Sequence, residues 1–130
     1  MNAGRIDRQQ IGRAAEEAAA GFLQTQNLSI LFRNYRCRSG EIDIVAETLE
    51  GVIVIAEVRL RASPRFGGGA ASVGWRKQRH IQSAARHLLT RHGALRQRAI
   101  RFDVLDLAPD GTGSYRINWI RHAFEAGPRH

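Results

Sequence analysis

Four charged positions interrupt stretches that otherwise read as core. Strand alternation puts Ile53, Ile55, Glu57, Arg59 and Arg61 on one side of the β-branched run Val52 to Leu60, so a carboxylate and two guanidiniums stand where apolar residues belong. Charge buried there is costly without compensation. An ion pair between Glu57 and Arg59 within the strand is one compensation. Asp43, in the alternating segment Glu41 to Glu47, offers another. Two carboxylates converging from adjacent strands repel each other, and Mg²⁺ or Mn²⁺ with oxygen ligands holds both ionised. Convergence depends on the link Thr48, Leu49, Glu50, Gly51. A three-residue loop with Gly51 at positive φ sets Asp43 opposite Glu57 on one face, whereas a two-residue loop separates them.

Two helices must bring the remaining groups. Between Gln10 and Gln26, Ile11, Ala14, Ala15, Ala18, Ala19, Phe22 and Leu23 recur at helical spacing. At about 100° per residue, Glu16 lies on the flank of that stripe and Glu17 points away from it. Glu16 is then either a third ligand reaching the sheet or an exposed helical glutamate. In the second helix, Ser72 is the candidate N-cap and Ile81, Ala84, Ala85, Leu88 and Leu89 form the buried stripe up to Gly93. Lys77 and Gln78 continue this stripe at its N-terminus, facing the sheet near the carboxylates unless the first turn frays. Lys77 is the only lysine in the chain, so any chemistry that needs a deprotonatable amine falls to it.

The order of elements is helix, three strands (Ser29 to Arg38, Glu41 to Glu47, Val52 to Leu60), helix, two strands (Ile100 to Leu107, Tyr115 to Ile120). A glycine-rich loop from Ala62 to Gly74 precedes the second helix, and a Pro109, Asp110, Gly111 turn joins the last strands. The 130 residues suit a single domain, with flexible tails expected at 1–8 and 125–130. No apolar run approaches the ~20 residues of a membrane span. Cys37 is the only cysteine, which excludes an internal disulfide and fits a cytoplasmic protein. Twenty basic residues against twelve acidic give a net charge of +8, which favours a polyanionic partner, nucleic acid foremost. The histidines show no zinc-site spacing.

The segments GRAAEEAA (Gly12 to Ala19), RNYRCRSGEIDIVA (Arg33 to Ala46), AEVRLR (Ala56 to Arg61), FGGGAASVGWRKQ (Phe66 to Gln78), RFDV (Arg101 to Val104) and HAF (His122 to Phe124) resemble the UPF0102, or YraN, family over almost the whole chain. That family is similar to the PD-(D/E)XK nucleases, in particular the archaeal Holliday-junction resolvases. The resemblance implies an α/β fold with a restriction-endonuclease-like core: a mixed central sheet of about five strands, in order α-β-β-β-α-β-β, with flanking helices. It implies that Asp43 is the motif aspartate, Glu57 its second acid and Arg59 the counterpart of its lysine. Glu16 takes the place of the acidic residue on the first helix, and Gln78 that of the polar residue on the later one. Glu41, in the GEID signature, is a further ligand or a hydrogen-bond partner.

The expected activity is metal-dependent hydrolysis of phosphodiesters in DNA, branched or single-stranded. Asp43, Glu57, Arg59, Lys77 and Gln78 are the catalytic candidates, and Glu16, Glu41, Asp43 and Glu57 the ligands for Mg²⁺ or Mn²⁺. Arg36, Arg38, Arg61, Arg65 and Arg76 are the candidates to grip the phosphate backbone. Arginine at position 59 can offset phosphate charge but is a poor proton acceptor, since its pKa stays above ~12. That departure keeps open a non-catalytic module that binds nucleic acid with a weakened site, and an adaptor domain is a third alternative. The resolvase resemblance also implies a homodimer.

Overall fold

The computed structural model describes residues 8–61 and 73–126. Most of the expected glycine-rich loop (62–72, with Arg65 and Ser72) and most of both tails lie outside these residues. The elements are α1 (Arg8–Thr25), β1 (Ser29–Cys37), β2 (Gly40–Glu47), β3 (Ile53–Leu60), α2 (Trp75–Arg91), a 3-10 turn η1 (Gly93–Leu95), β4 (Ile100–Pro109) and β5 (Tyr115–Phe124). They form a mixed α/β fold whose five-stranded sheet runs β1-β2-β3-β4-β5. All neighbours are antiparallel except β3 and β4, which α2 joins as a parallel pair.

The sheet separates two cores. Ala15, Ala19, Ala20 and Leu23 of α1 pack on Ile44, Ala46, Val54, Ala56, Leu105 and Leu107. On the other face, Ile81, Ala84, Ala85 and Leu88 of α2 pack on Val45, Ile53, Ile55, Phe102 and Val104. This explains why β3 and β4 are apolar on both faces. Each fully buried leucine or isoleucine contributes ~1.5–3 kcal/mol relative to exposure.

Local chemistry sets the ends of the elements. Asn27 adopts φ 68° after α1, while Leu28 N donates to Leu23 O and Asn27 N to Gln24 O, each at 3.0 Å. These are the paired bonds of a Schellman cap, with asparagine in the left-handed position. The β2–β3 link has the three-residue form, because Thr48 N bonds Val52 O and Gly51 N bonds Thr48 O, with Gly51 at φ 90°. The second helix starts later than its sequence suggests: Gly74 is the N-cap and no side chain caps it. At the β1–β2 turn, a Cβ on Gly40 would stand 2.7 Å from the backbone oxygen of His80, so only glycine lets this hairpin approach α2 so closely.

β5 runs four residues beyond its expected end at Ile120. It does so by bulging: Val104 pairs with Ile120 but Phe102 with Phe124, with His122 between them at φ 55°. Asp103 fills the bulge and accepts the His122 N–H at 3.0 Å. An interruption that would end a strand is thereby satisfied by a side chain.

Candidate active site

The site is built where β1 and β2 stop alternating. Ile44 and Ala46 face α1, yet Ile42, two residues earlier, belongs to the α2 core. On β1, Arg33 reaches Glu17 of α1, whereas Tyr35 bonds His87 of α2. Between them, Asn34 sits at φ 53°. Period-2 alternation cannot place residues two apart on opposite faces, so the left-handed residue is what turns the strand over. The Asn34 side chain lies beside Glu16 and favours its charged form. The turnover thus opens the end of the sheet toward α1 and delivers Asp43 to Glu16.

Pairing between β2 and β3 continues to Ile44 with Ala56 and then ends. Beyond it, the Asp43 carboxylate replaces a backbone carbonyl, its Oδ2 accepting the Val58 N–H at 2.8 Å. The Asp43 carboxyl also lies beside that of Glu57. The two acids from neighbouring strands therefore stand close enough that the charge of Glu57 disfavours that of Asp43. Burial, followed by the neighbouring Glu57 carboxyl, pushes Asp43 up from 3.8 to about 7, against the Val58 N–H and Lys77.

Glu16 and Glu41 complete the cluster. One carboxylate oxygen from each of Glu16, Glu41 and Asp43 lies within 4.8 Å of the others. Burial and then the charge of Asp43 raise the Glu16 carboxyl above its ordinary value, and its Oε1 is buried without a hydrogen-bond partner among the described residues. An orphaned buried carboxylate oxygen facing two further acids fits a hard divalent cation, which takes oxygen ligands. Lys77 Nζ approaches Glu57 Oε2 to 3.3 Å from the first turn of α2, with 54% of the lysine side chain exposed against 11% of the glutamate.

Other candidates are used differently. Gln78 donates its Nε2 to Val73 O at 2.7 Å, which ties down the start of α2. Arg61, expected to grip phosphate, is instead committed to a buried ion pair: its Nε lies 2.9 Å from Oδ1 of Asp106, whose side chain is 1% exposed. Burying a guanidinium requires such a partner. Arg36 is exposed and 3.3 Å from Glu41 Oε2, and Arg38 and Arg76 are exposed near the same end of the sheet. Arg59 is half-buried on β3, level with Asp106 of β4.

Asn34, Asp103 and Asp106 escaped the sequence reading. The two aspartates left a signal, because both interrupt the apolar run Phe102 to Ala108. Asn34 left none in the pattern, since one residue's φ decides its effect.

The raised Asp43 carboxyl fixes a pH dependence. Between about pH 4 and about pH 7 the unfolded chain has released this proton while the folded, metal-free protein retains it. Folding stability therefore falls as pH rises through this window and levels off above it. Urea midpoints in EDTA, compared with those of Asp43→Asn, isolate the effect. A wild-type-minus-variant difference that grows with pH would contradict a protonated Asp43.

A mixed sheet with a helix on each face and an acid cluster at the turnover of its second strand defines an α/β domain with a candidate acidic site. The model of the uncharacterised protein family UPF0102 matches residues 15–107, and the chain belongs to this family. It is 45% identical over 113 residues to a UPF0102 protein of Alcanivorax borkumensis, covering 87% of this chain and 90% of that one. With the UPF0102 protein RSc3265 of Ralstonia nicotianae the identity is 47% over 116 residues, or 87% and 85% of the two chains. Among solved structures, Pyrococcus furiosus SfsA in complex with Ca²⁺ is similar at 17% identity and a TM-score of 0.39. That match covers 89% of this chain and spans 64% of the length of SfsA. No helix among the described residues is long and apolar enough to cross a membrane.

Proposed function

We propose that this protein is a metal-dependent endonuclease that hydrolyses phosphodiesters in branched or single-stranded DNA. The reading rests above all on the carboxylates of Glu16, Glu41 and Asp43, each with an oxygen within 4.8 Å of the others, and on a Glu16 Oε1 that is buried without a hydrogen-bond partner among the described residues. Glu16, Glu41 and Asp43, with Glu57 beside Asp43, would hold Mg²⁺ or Mn²⁺. When bound, such an ion supplies Lewis-acid polarisation of the phosphate and a more acidic water. The chain's own residues supply the rest. Lys77, the only lysine, stands at Glu57, where its amine would orient a water. Arg59 offsets charge on the scissile phosphate without taking part in proton transfer. Arg36, Arg38 and Arg76 present guanidiniums to the backbone around this end of the sheet. Nucleic acid as partner follows from that surface and the +8 net charge, and a homodimer accords with action on a branched substrate.

A second reading is favoured by two observations: arginine occupies position 59, and Gln78 is bound to Val73 O. It is a module that binds nucleic acid without cleaving it. The deciding experiment incubates the protein with a four-way junction and with single-stranded DNA in Mg²⁺ or Mn²⁺. Cleavage that EDTA abolishes and Glu57→Gln strongly reduces supports the endonuclease. Binding whose log affinity falls linearly with log salt, with no metal-dependent products, selects the binding module. Absence of both leaves neither reading standing.

A further inference from the structure

Away from the carboxylates, the second half of α2, the segment after η1 and the facing ends of β4 and β5 line an open cavity of about 480 Å³. This lies within the size range of small-molecule sites, roughly 300–1,000 Å³. The site is distinct from the acid cluster: along α2, Lys77 and Arg86 are separated by about 14 Å at 1.5 Å per residue. Its floor is apolar, formed by Leu89, Ile100, Phe102 and Phe124. The two phenylalanines stack with centroids 4.9 Å apart and planes at 20°, which makes this floor flat and rigid.

The rim carries four arginines, Arg86, Arg96, Arg98 and Arg101, against one lining carboxylate, Glu125, which lies 3.6 Å from the His122 ring. Two of these arginines are already neutralised and serve as fixed wall. Arg98 pairs with Glu47 and donates to Gly51 O at 2.9 Å, and Arg101 pairs with Asp103 through two 2.9 Å bonds. The other two are not. Among the described residues, the Arg86 guanidinium donates to the Ser83 hydroxyl at 3.2 Å and pairs with no carboxylate, and Arg96 has no carboxylate in ion-pair reach. Neither guanidinium contributes to the core, yet both border an apolar floor.

A free inorganic anion would leave that floor uncovered, and an apolar ligand would leave the guanidiniums to water. A planar ring carrying a phosphate uses both, the ring on the floor and the phosphate in charge-assisted bonds to Arg86 and Arg96. We infer that this cavity binds a nucleoside phosphate, present as a free nucleotide or as the phosphorylated end of a strand. The site does not depend on cleavage at the acid cluster.

The test is NMR titration in EDTA with dAMP, deoxyadenosine, inorganic phosphate, and an oligonucleotide with and without a 5′-phosphate. The inference expects dAMP to shift the amide signals of Leu89, Ile100 and Phe124 while those of Asp43 and Glu57 stay put. Deoxyadenosine and phosphate should each bind at least about tenfold more weakly than dAMP. Arg86→Gln with Arg96→Gln should weaken dAMP about tenfold or more at unchanged thermal stability, and Arg96→Glu alone should also weaken it. Tighter binding of the 5′-phosphorylated oligonucleotide than of dAMP assigns the strand end, and the reverse assigns the free nucleotide. Saturation by phosphate as tightly as by dAMP, shifts confined to the acid cluster, or no shifts at all would overturn it. Repeating the titration on Asp43→Asn separates this site from the endonuclease reading, because the cavity shifts should persist there.

Discussion

Asp43→Asn is expected to lower metal-dependent cleavage about a thousandfold, the several kcal/mol that metal-assisted charge stabilisation supplies, while raising the melting temperature in EDTA. The two effects share a cause. Asp43 is held away from water beside Glu57, which pushes its carboxyl up to about 7, so near neutrality and above the metal-free fold carries repulsion between two acids. The asparagine carbonyl still accepts the Val58 N–H that Asp43 Oδ2 takes at 2.8 Å, and its amide can donate to Glu57. Relief of ~1 kcal/mol at pH 8 corresponds to a rise of about 3–6 °C for a domain of this size. Differential scanning calorimetry in EDTA and single-turnover cleavage in Mn²⁺ check the pair of outcomes. A variant that cleaves like the wild type removes Asp43 from the chemistry. One that is less stable at pH 8 shows instead that the carboxylate holds β2 and β3 together.

Why Asp43 reaches its neighbours marks the boundary of what was legible in the sequence. The two helices and five strands follow from apolar period and from turn residues, and the β2–β3 register from the length of one loop with a glycine at its end. Asp43 beside Glu57 is legible on the same grounds. Glu16 is harder: helical spacing puts it on the flank of the stripe, but its meeting with Glu41 and Asp43 also needs the turnover at Asn34. A side chain able to adopt positive φ is an ordinary residue in an alternating pattern, so nothing announces it. Arg61 fails for another reason. Its charge was readable, but its partner Asp106 is 45 residues away on a strand whose parallel pairing with β3 is made only through α2. Long-range pairing decides whether an arginine faces solvent or an aspartate, and local pattern carries no record of it. The late end of β5 belongs to the same class, because the acceptor for its bulge comes from Asp103 on β4.

That aspartate carries the largest expected loss of stability in the molecule. Asp103 is 1% exposed and saturated with donors. Its Oδ1 accepts from Arg101 Nε at 2.9 Å and the His122 N–H at 3.0 Å, and its Oδ2 accepts from Arg101 Nη2 and Trp119 Nε1, both at 2.9 Å. A charge buried this deeply is tolerable because every bond it would make to water is replaced. Asp103→Ala removes the acceptor and leaves three sets of donors, one of them a guanidinium, without a partner. Breaking a buried pair from one side costs about 3–5 kcal/mol, which corresponds to roughly 10–20 °C in melting temperature for a domain of this length. Asp103→Asn keeps the volume but turns one acceptor into a donor facing other donors, so an intermediate loss is expected. Arg101→Met with Asp103→Leu removes the ion pair from both sides and should recover part of the loss, because no charge is then left buried. Guanidinium unfolding of the variants measures these differences. Mn²⁺ affinity of the folded fraction should be unchanged, since the donors to Asp103 come from Arg101, Trp119 and His122 rather than from the acid cluster. Lost metal binding at wild-type stability would instead place Asp103 in the chemistry.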